Sequence, residues 1–279
     1  MIIIAVNLAS KYSSKIDERF SLKSLTESAV NQSYDWEGVK TISVYDIPTV
    51  AMGNYSRTGL ARYGTAAELD NNKTDYTLTR DRAFTFAIDR GNWQETQMTQ
   101  EAGKALSRQL NEVVIPEVDI YRLAAMSAAA VTAGNVSAAT VITATNAYSS
   151  LLKATEKQAD LKAPLSGRIA FVKPSFYNFL KLDSSFVRST EIGQKMLING
   201  QVGQVDDIKI VMVPSSYLPA NTEFIVTNPI ATVAPKKLED YKTHDNPPGI
   251  NGWLVEGRTI YDAFVLKNKV NAIYVHKNA

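Results

Sequence analysis

The residues that most often perform metal or acid–base chemistry are scarce in this sequence of 279 residues. His244 and His276 are the only two histidines, and neither lies in the spacing of a helical zinc motif. A metal site built on either histidine would need carboxylates that nothing in the sequence singles out. We therefore expect both histidines to be solvated residues of loops or strand ends, and not metal ligands or general bases.

Other motifs that could bind phosphate or transfer protons are incomplete. Residues 200–203, Gly-Gln-Val-Gly, resemble part of a glycine-rich phosphate loop but lack the Lys-Ser/Thr pair, so we expect a hairpin turn before Ile208. Adjacent charged residues could supply acid–base groups, but on exposed strands such residues are usually solvated or interfacial. These pairs are Asp206 with Asp207, Asp81 with Arg82, and Asp89 with Arg90. The sequence predicts no catalytic residue, no cofactor site and no metal site, and we expect a protein that is not an enzyme.

The composition excludes several classes of function. The chain has 30 Lys and Arg against 28 Asp and Glu, and this net charge of +2 is too small to argue for nucleic-acid binding. There is no cysteine, so neither a disulfide framework nor a thiolate metal site is possible. Residues 1–6 are apolar but far shorter than a signal sequence or a membrane span. We expect a protein that is made in a cytoplasm and does not contact a membrane.

The most informative element is a long alternating stretch over residues 76–88. Its period of two predicts a strand with two different faces. One face carries Phe84 near one end and Arg80 and Arg82 in its middle. Because arginines are not buried without partners, only the end near Phe84 suits a core. We therefore expect this strand to leave its own domain and to meet acidic partners on a neighbouring subunit.

A second β-branched run, residues 41–47, is closed by Pro48. Turn-forming glycine, asparagine and aspartate residues lie between this run and the first one. The sequence therefore predicts a two-stranded projection. Such a pair is marginal alone in water, so we expect it to bind a neighbouring copy.

After Gly91 the period changes to that of a helix. An apolar stripe recurs at helical spacing, while the opposite side is charged. The stripe consists of Met98, Ala102, Ala105, Leu106, Leu110, Val113 and Val114, and the charged side of Lys104, Arg108 and Glu112. Pro116 must kink or end this helix, because it has no N–H to donate. A further apolar, alanine-rich stretch then continues over residues 118–130.

The rest of the chain mixes helices and strands. Ser137 is expected to cap a helix that ends near Asp160, and Pro174 to start another. Strands are expected at residues 168–173, 208–213 and 224–227, with two more between residues 253 and 276. The order predicts an α+β fold without a βαβ repeat.

Several of these segments resemble the major capsid proteins of tailed bacteriophages. The resemblance lies in residues 42–44, 63–65, 68–69 and 78–89, the last reading LTRDRAFTFAID, and in a helix containing EAGK at 101–104. Residues 200–214, GQVGQVDDIKIVMVP, are similar to a strand pair common in that family. The resemblance covers most of the chain and rests on the order of elements.

The resemblance implies the Hong Kong 97-type capsid fold. It would comprise an N-terminal arm (1–40), an extended β-hairpin loop with its base (41–90), the spine helix of a peripheral domain (91–130), an axial domain (131–221), and return strands of the peripheral domain with a closing strand of the axial domain (222–279). The arm begins almost at the first residue, so we expect any scaffolding to be a separate protein.

The function that follows from the resemblance is that of a major capsid protein. It would self-assemble as hexamers and pentamers into an icosahedral shell around the double-stranded DNA genome of a tailed bacteriophage or prophage. A scaffolding protein and a portal would be partners, and DNA would be held without sequence-specific binding. The protein would reside in the virion after assembly in the cytoplasm of the host bacterium. The candidate inter-subunit contacts are Arg80, Arg82, Tyr76, Tyr63 and Arg108.

Two other classes remain open. An encapsulin-type nanocompartment would share the fold but enclose enzymes instead of a genome. An enzyme of unrecognised α+β fold is the more distant alternative, and it would show a concave pocket with convergent polar groups.

Overall fold

The computed structural model describes residues 24–34, 40–66, 68, 72–95, 102–184, 186 and 204–278. The chain divides into two compact units, unit 1 (Met1–Asp35 with Thr79–Ala279) and unit 2 (Trp36–Leu78). The predicted α+β class is confirmed.

Strands and helices alternate irregularly along the chain. The strands are β1 (Thr41–Asp46), β2 (Asn72–Thr77), β3 (Arg80–Asp89), β4 (Arg168–Val172), β5 (Gln204–Val205), β6 (Ile208–Met212), β7 (Thr222–Thr227), β8 (Thr232–Val233), β9 (Lys236–Asp245), β10 (Gly252–Tyr261), β11 (Phe264–Val265) and β12 (Tyr274–Lys277). The α-helices are α1 (Arg90–Glu95), α2 (Ala102–Gln109), α3 (Ile115–Thr132), α4 (Ala147–Asp160) and α5 (Pro174–Leu182). None of the described helices is long and apolar enough to span a membrane.

Unit 2 contains an antiparallel pair, β1 with β2, whose register runs from Thr41 opposite Thr77 to Asp46 opposite Asn72. The continuous strand predicted over residues 76–88 is wrong, because the structure has two strands separated by Leu78 and Thr79. The physical reason is a change of partner along the chain. β2 pairs with β1, whereas β3 pairs with β10.

In unit 1, β3 forms the edge of an antiparallel sheet ordered β3-β10-β9. The apolar stripe of α2 packs on this sheet: Leu106 and Leu110 form one cluster with Tyr241 and Val255. The prediction that both leucines are buried is confirmed. Met98, which was assigned to the same stripe, lies outside the described residues.

The helical backbone passes through Pro116 instead of ending there. A π-helical turn (Leu110–Val114) follows α2, and the N–H of Ile115 bonds to the carbonyl of Leu110. Pro116 then falls in the first turn of α3, directly after the π-helical turn, which accommodates a residue that has no N–H to donate. The wider turn also changes which residues face the core. Val113, predicted on the buried stripe, is therefore 46% exposed.

A five-stranded sheet, ordered β12-β7-β4-β6-β5, forms the larger core of unit 1. β4 runs parallel to β6, and the other neighbours are antiparallel. One face packs on α4 and α5 through residues such as Leu151 and Phe176, and the other packs on α3 through Leu123 and Met126. Because both faces are covered, β4 and β7 are buried throughout.

Of two local features predicted around this sheet, one is not tested by the described residues and one is corrected. The turn before β6 is formed by Asp206 and Asp207, whose positive φ values of 51° and 60° are those of a two-residue hairpin. The segment 200–203, where the turn was predicted, lies outside the described residues. Ser137 does not cap a helix, since α4 begins ten residues later; its hydroxyl accepts the N–H of Lys277 at 2.9 Å and so fastens β12.

Candidate assembly surfaces

The tip of unit 2, residues 47–66, exposes large apolar side chains to solvent. Met52 and Leu60 are fully exposed and Tyr63 is 92% exposed, and Ile47 and Val50 are exposed as well. The tip contains two arginines and no acidic residue. Clustered exposed apolar residues on a folded chain mark interaction sites. The tip is therefore a candidate contact surface that is apolar and positively charged.

The tip has local structure of its own. The N–H of Ser56 donates to the carbonyl of Arg62 at 2.9 Å, and the rings of Tyr55 and Tyr63 meet edge to face at 5.0 Å. These contacts limit the number of conformations that the tip can adopt. The cost in entropy of binding a partner falls accordingly.

Hydrogen bonds between polar side chains link β1 to β2 in the part of unit 2 that carries the tip. The hydroxyls of Thr41 and Thr77 lie 2.8 Å apart, and Ser43 donates to Asp75. The hydrogen bond from Ser43, and then that from Lys73, lower the pKa of Asp75. Tyr76, a predicted contact residue, is partly exposed on β2 opposite Ile42.

Arg80 and Arg82, expected to need acidic partners on another subunit, have partners within their own chain. The Nε of Arg82 donates to Glu117 on α3 at 2.7 Å. The guanidinium of Arg80 lies 4.5 Å from the centre of the Tyr121 ring. α3 therefore supplies a partner to each arginine within the subunit. Both side chains remain exposed and accessible to a neighbour.

A buried carboxylate that sequence reasoning missed lies where β3 begins. Asp262 accepts the N–H and the hydroxyl of Thr79 at 2.8 and 2.9 Å on one oxygen. Its other oxygen accepts the Tyr121 hydroxyl at 2.7 Å and the N–H of Ala263 at 2.8 Å. Burial, and then the hydrogen bond to Asp262, raise the pKa of Tyr121. No spacing in the sequence joins Asp262 to Thr79.

Glu117 is the second acidic group at this position. It accepts the hydroxyl of Tyr261 at 3.0 Å as well as the Nε of Arg82. Burial, and then the neighbouring Glu117, raise the pKa of Tyr261 well above its usual value. Both tyrosines therefore stay protonated near neutral pH and act as hydrogen-bond donors, not as general bases.

Arg108 lies on the exposed side of α2, as predicted. Its Nε donates to Glu112 one turn later at 2.8 Å, and both side chains are largely exposed. Such a pair contributes only a few tenths of a kcal/mol, about 0.2–0.5, to a helix. The Arg108 surface is therefore available for contacts outside the subunit at little cost to the fold.

The outward face of the β3-β10-β9 sheet carries alternating charges. Arg258 pairs with Asp81 at 2.6 Å, Lys242 with Asp240 at 2.7 Å, and His244 lies 3.1 Å from Glu256. A shallow, open cavity of about 400 Å³ lies on this face. Asp89, the remaining predicted acid, accepts the N–H of Gly91 at 2.8 Å at the start of α1. Each of these acidic residues thus has an ion-pair or hydrogen-bond partner within the subunit.

The prediction for His276 is wrong, whereas His244 is exposed as expected. His276 is 3% exposed, stacks on Phe224 and shares a hydrogen bond of 3.0 Å with the carbonyl of Thr140. Burial lowers its pKa, and its Nδ1 has no partner among the described residues. In the part of the chain that the structure describes, no three His, Cys, Asp or Glu side chains are grouped so as to hold a metal.

Comparison with known proteins identifies relatives of this chain. A family model described as phage capsid protein matches residues 72–275, more than half of its length. A search of curated proteins found no match.

The fold is similar to several solved structures. The capsid of Cyanophage P-SCSP1u has a TM-score of 0.69 at 15% identity, covering 92% of this chain and 88% of that one. A structure from Mycobacterium phage Che8 has a TM-score of 0.67 at 14% identity, covering 91% and 90%. A virus-like particle from Pyrococcus furiosus has a TM-score of 0.56 at 9% identity, covering 97% and 99%. At these identities the likeness shows the fold alone.

Proposed function

The chain belongs to the phage capsid protein family, with the Hong Kong 97-type fold, and on this premise we propose that it is the major subunit of a tailed-phage head. Many copies form hexamers and pentamers and close into an icosahedral shell around a double-stranded DNA genome. The observation that carries this proposal is the family match over residues 72–275. An exposed apolar tip on unit 2 agrees with it, because a subunit of a shell must bury area on several neighbours.

We assign the contacts between subunits first to the tip of unit 2. Met52, Leu60 and Tyr63 expose apolar area that gains free energy only when a second surface covers it. Arg80, Arg82 and Arg108 are proposed as additional contacts, because their side chains are exposed. Glu112, the partner of Arg108, is exposed as well, and Tyr121 and Glu117, the partners of Arg80 and Arg82, are partly exposed. Although each arginine has a partner within the subunit, its exposed guanidinium can still donate to acidic residues of a neighbouring subunit at the edge of the interface.

The domains of the capsid fold are assigned along the chain as follows. Residues 1–40 form the N-terminal arm and 41–90 the extended loop with its base, while the spine helix over 91–130 comprises α2 and most of α1 and α3. Residues 131–221 form most of the axial domain. The segment 222–279 returns to the peripheral domain through β9 and β10 and ends with β12 as the closing strand of the axial sheet.

A separate scaffolding protein and a portal are the partners that such a shell requires for size and for DNA entry. The net charge of +2 agrees with confinement of DNA rather than sequence-specific binding. Assembly takes place in the host cytoplasm, and the finished protein resides in the virion. No enzymatic step is assigned to the subunit.

Electron microscopy of the purified protein tests the assembly. We expect closed shells from the parent chain, and no shells when Met52, Leu60 and Tyr63 are all changed to serine. Because these side chains are exposed in the subunit, its unfolding transition should change little. A matched control changes two exposed apolar residues outside unit 2, Val141 and Leu182, to serine and should assemble.

Normal particles from the triple variant would show that the tip of unit 2 is not the principal contact. The nature of the enclosed material separates a phage head from a nanocompartment. Nuclease-resistant double-stranded DNA in particles from producing cells supports the phage head, whereas a specific enzyme cargo without DNA would refute it.

A further inference from the structure

Two charged side chains on α3 are buried almost completely. Asp119 and Arg122 are each 1% exposed, and they lie one turn apart on the same side of the helix. A buried carboxylate and a buried guanidinium are costly unless hydrogen bonds compensate their charge. Their partners therefore decide whether this part of the subunit is stable.

The partners of Asp119 are three consecutive residues near the start of the described chain. Ser24 and Thr26 donate their hydroxyls to Oδ1, each at 2.6 Å. The N–H of Leu25 donates to Oδ2 at 3.0 Å. The single carboxylate of Asp119 thus accepts hydrogen bonds from one backbone N–H and from the two hydroxyls on either side of it.

Arg122 binds the same segment from the next turn of the helix. Its Nη1 donates to the hydroxyl of Thr26 at 3.1 Å and to Glu27 at 3.0 Å. Burial alone would raise the pKa of Glu27, but Arg122 and then Lys236 lower it below its usual value. The order hydroxyl, amide, hydroxyl, carboxylate over residues 24–27 is therefore matched by Asp119 and Arg122.

The residues that follow are held by contacts of a less specific kind. Ala29 and Val30 pack among Leu123 and Met126 in an apolar cluster. Burial of small apolar side chains is non-directional, so a segment displaced along the helix could still bury similar area. Asn31 then bridges to Val233 through backbone bonds that any residue can form. Neither contact distinguishes one register from the next.

We propose that Asp119 and Arg122 are positioning residues that fix the register in which residues 24–27 bind α3. A displacement by one residue leaves a buried carboxylate without its donors and a buried guanidinium without Glu27. The segment consequently binds in one register. In a shell, every copy then holds residues 24–27 in the same register, a consequence that rests on the proposed function.

Hydrogen exchange of the full-length, unassembled chain tests the proposal. Thr26→Val keeps the shape of the side chain and removes the hydroxyl that both charged groups use. We expect amides within residues 24–32 to exchange about tenfold faster, the effect of losing one hydrogen bond to a charged group. Thr26→Ser should restore the protection of the parent. Thr132→Val is the matched control, because that hydroxyl bonds only to the exposed end of α3.

In the Thr26 series, two results would overturn the proposal. Unchanged protection in Thr26→Val would mean that apolar contacts hold the segment. Equally fast exchange in Thr26→Ser would mean that the lost methyl group matters instead of the hydroxyl.

A second experiment replaces both charged residues, by Asp119→Leu together with Arg122→Met. If this chain folds, loss of protection confined to residues 24–32 supports the register role, and retained protection contradicts it. If it does not fold, the Thr26 series decides alone. Because exchange is measured before assembly, a failure to form shells with normal protection would count against the proposed function only.

Discussion

Gly257 in β10 is the position where the structure predicts the sharpest effect of a single methyl group. It lies directly opposite Phe84 on one side and Tyr241 on the other. A Cβ built there would be 2.4 Å from two atoms of the Phe84 ring and 2.8 Å from the Tyr241 ring. Since ordinary contact begins near 3.4 Å, the Phe84 ring must move by the difference of 1.0 Å.

The ring cannot make that movement freely. Phe84 stacks on Phe86 and on Tyr241, with ring centres 6.3 and 6.2 Å apart. Overpacking of this size costs about 1–3 kcal/mol. We therefore expect Gly257→Ala to lower the free energy of unfolding by that amount, measured by denaturant unfolding of the unassembled subunit with an unchanged slope.

A double-mutant cycle tests the cause. Phe84→Ala removes the nearer of the two rings, so Gly257→Ala should cost less in that background, where the Tyr241 ring at 2.8 Å still opposes the Cβ. Gly53→Ala is the control, because no atom lies within 4 Å of its Cβ position. The same cost of Gly257→Ala with and without the ring would refute the steric explanation.

Three further predictions concern the core, the ion pair and the buried histidine. Leu110→Ala should lower the free energy of unfolding by about 2–5 kcal/mol through a cavity, whereas Val113→Ala, half exposed, should cost less than about 1 kcal/mol. Arg82→Gln breaks an exposed pair with Glu117 and should change stability by at most about 1 kcal/mol, so a large loss of particle yield with a normal unfolding curve would identify an inter-subunit contact. The pKa of His276 is lowered in the fold, so the unfolded state binds the proton first and stability should fall as the pH drops below about 6.5. His276→Gln should flatten this part of the stability profile, and an unchanged slope in thermal unfolding at stepped pH would contradict the assignment.

The sequence predicted the elements whose signal is periodic. The alternation around Phe84, the helical spacing of Leu106 and Leu110 and the order of elements that resembles phage capsid proteins are all confirmed by the structure and the family match. Period and order are local properties of a chain. Both can be recognised in a sequence without knowing which distant segments of the chain are in contact.

The features that sequence reasoning missed depend on distant partners. β2 and β3 pair with different strands, and Thr79 between them is bound by Asp262, which lies 183 residues away in the chain. His276 is buried because the segment that follows α3 covers β12, where Ser137 donates its N–H to the carbonyl of Val275. A strand of four residues is too short for its pattern to reveal that both faces are covered.

The pairing of β10 between β3 and β9 also constrains how the protein is made. Tyr261 pairs with Arg80, and Val136 bridges to Val275, so strands from the last part of the chain complete the sheets of unit 1. A ribosome delivers the central strand of the three-stranded sheet long after its first edge, whereas the β1-β2 pair of unit 2 closes over a short separation. Unit 1 therefore cannot finish folding until β10 and β12 have left the ribosome. A nascent chain that has not yet exposed these strands cannot contribute a completed subunit to a shell.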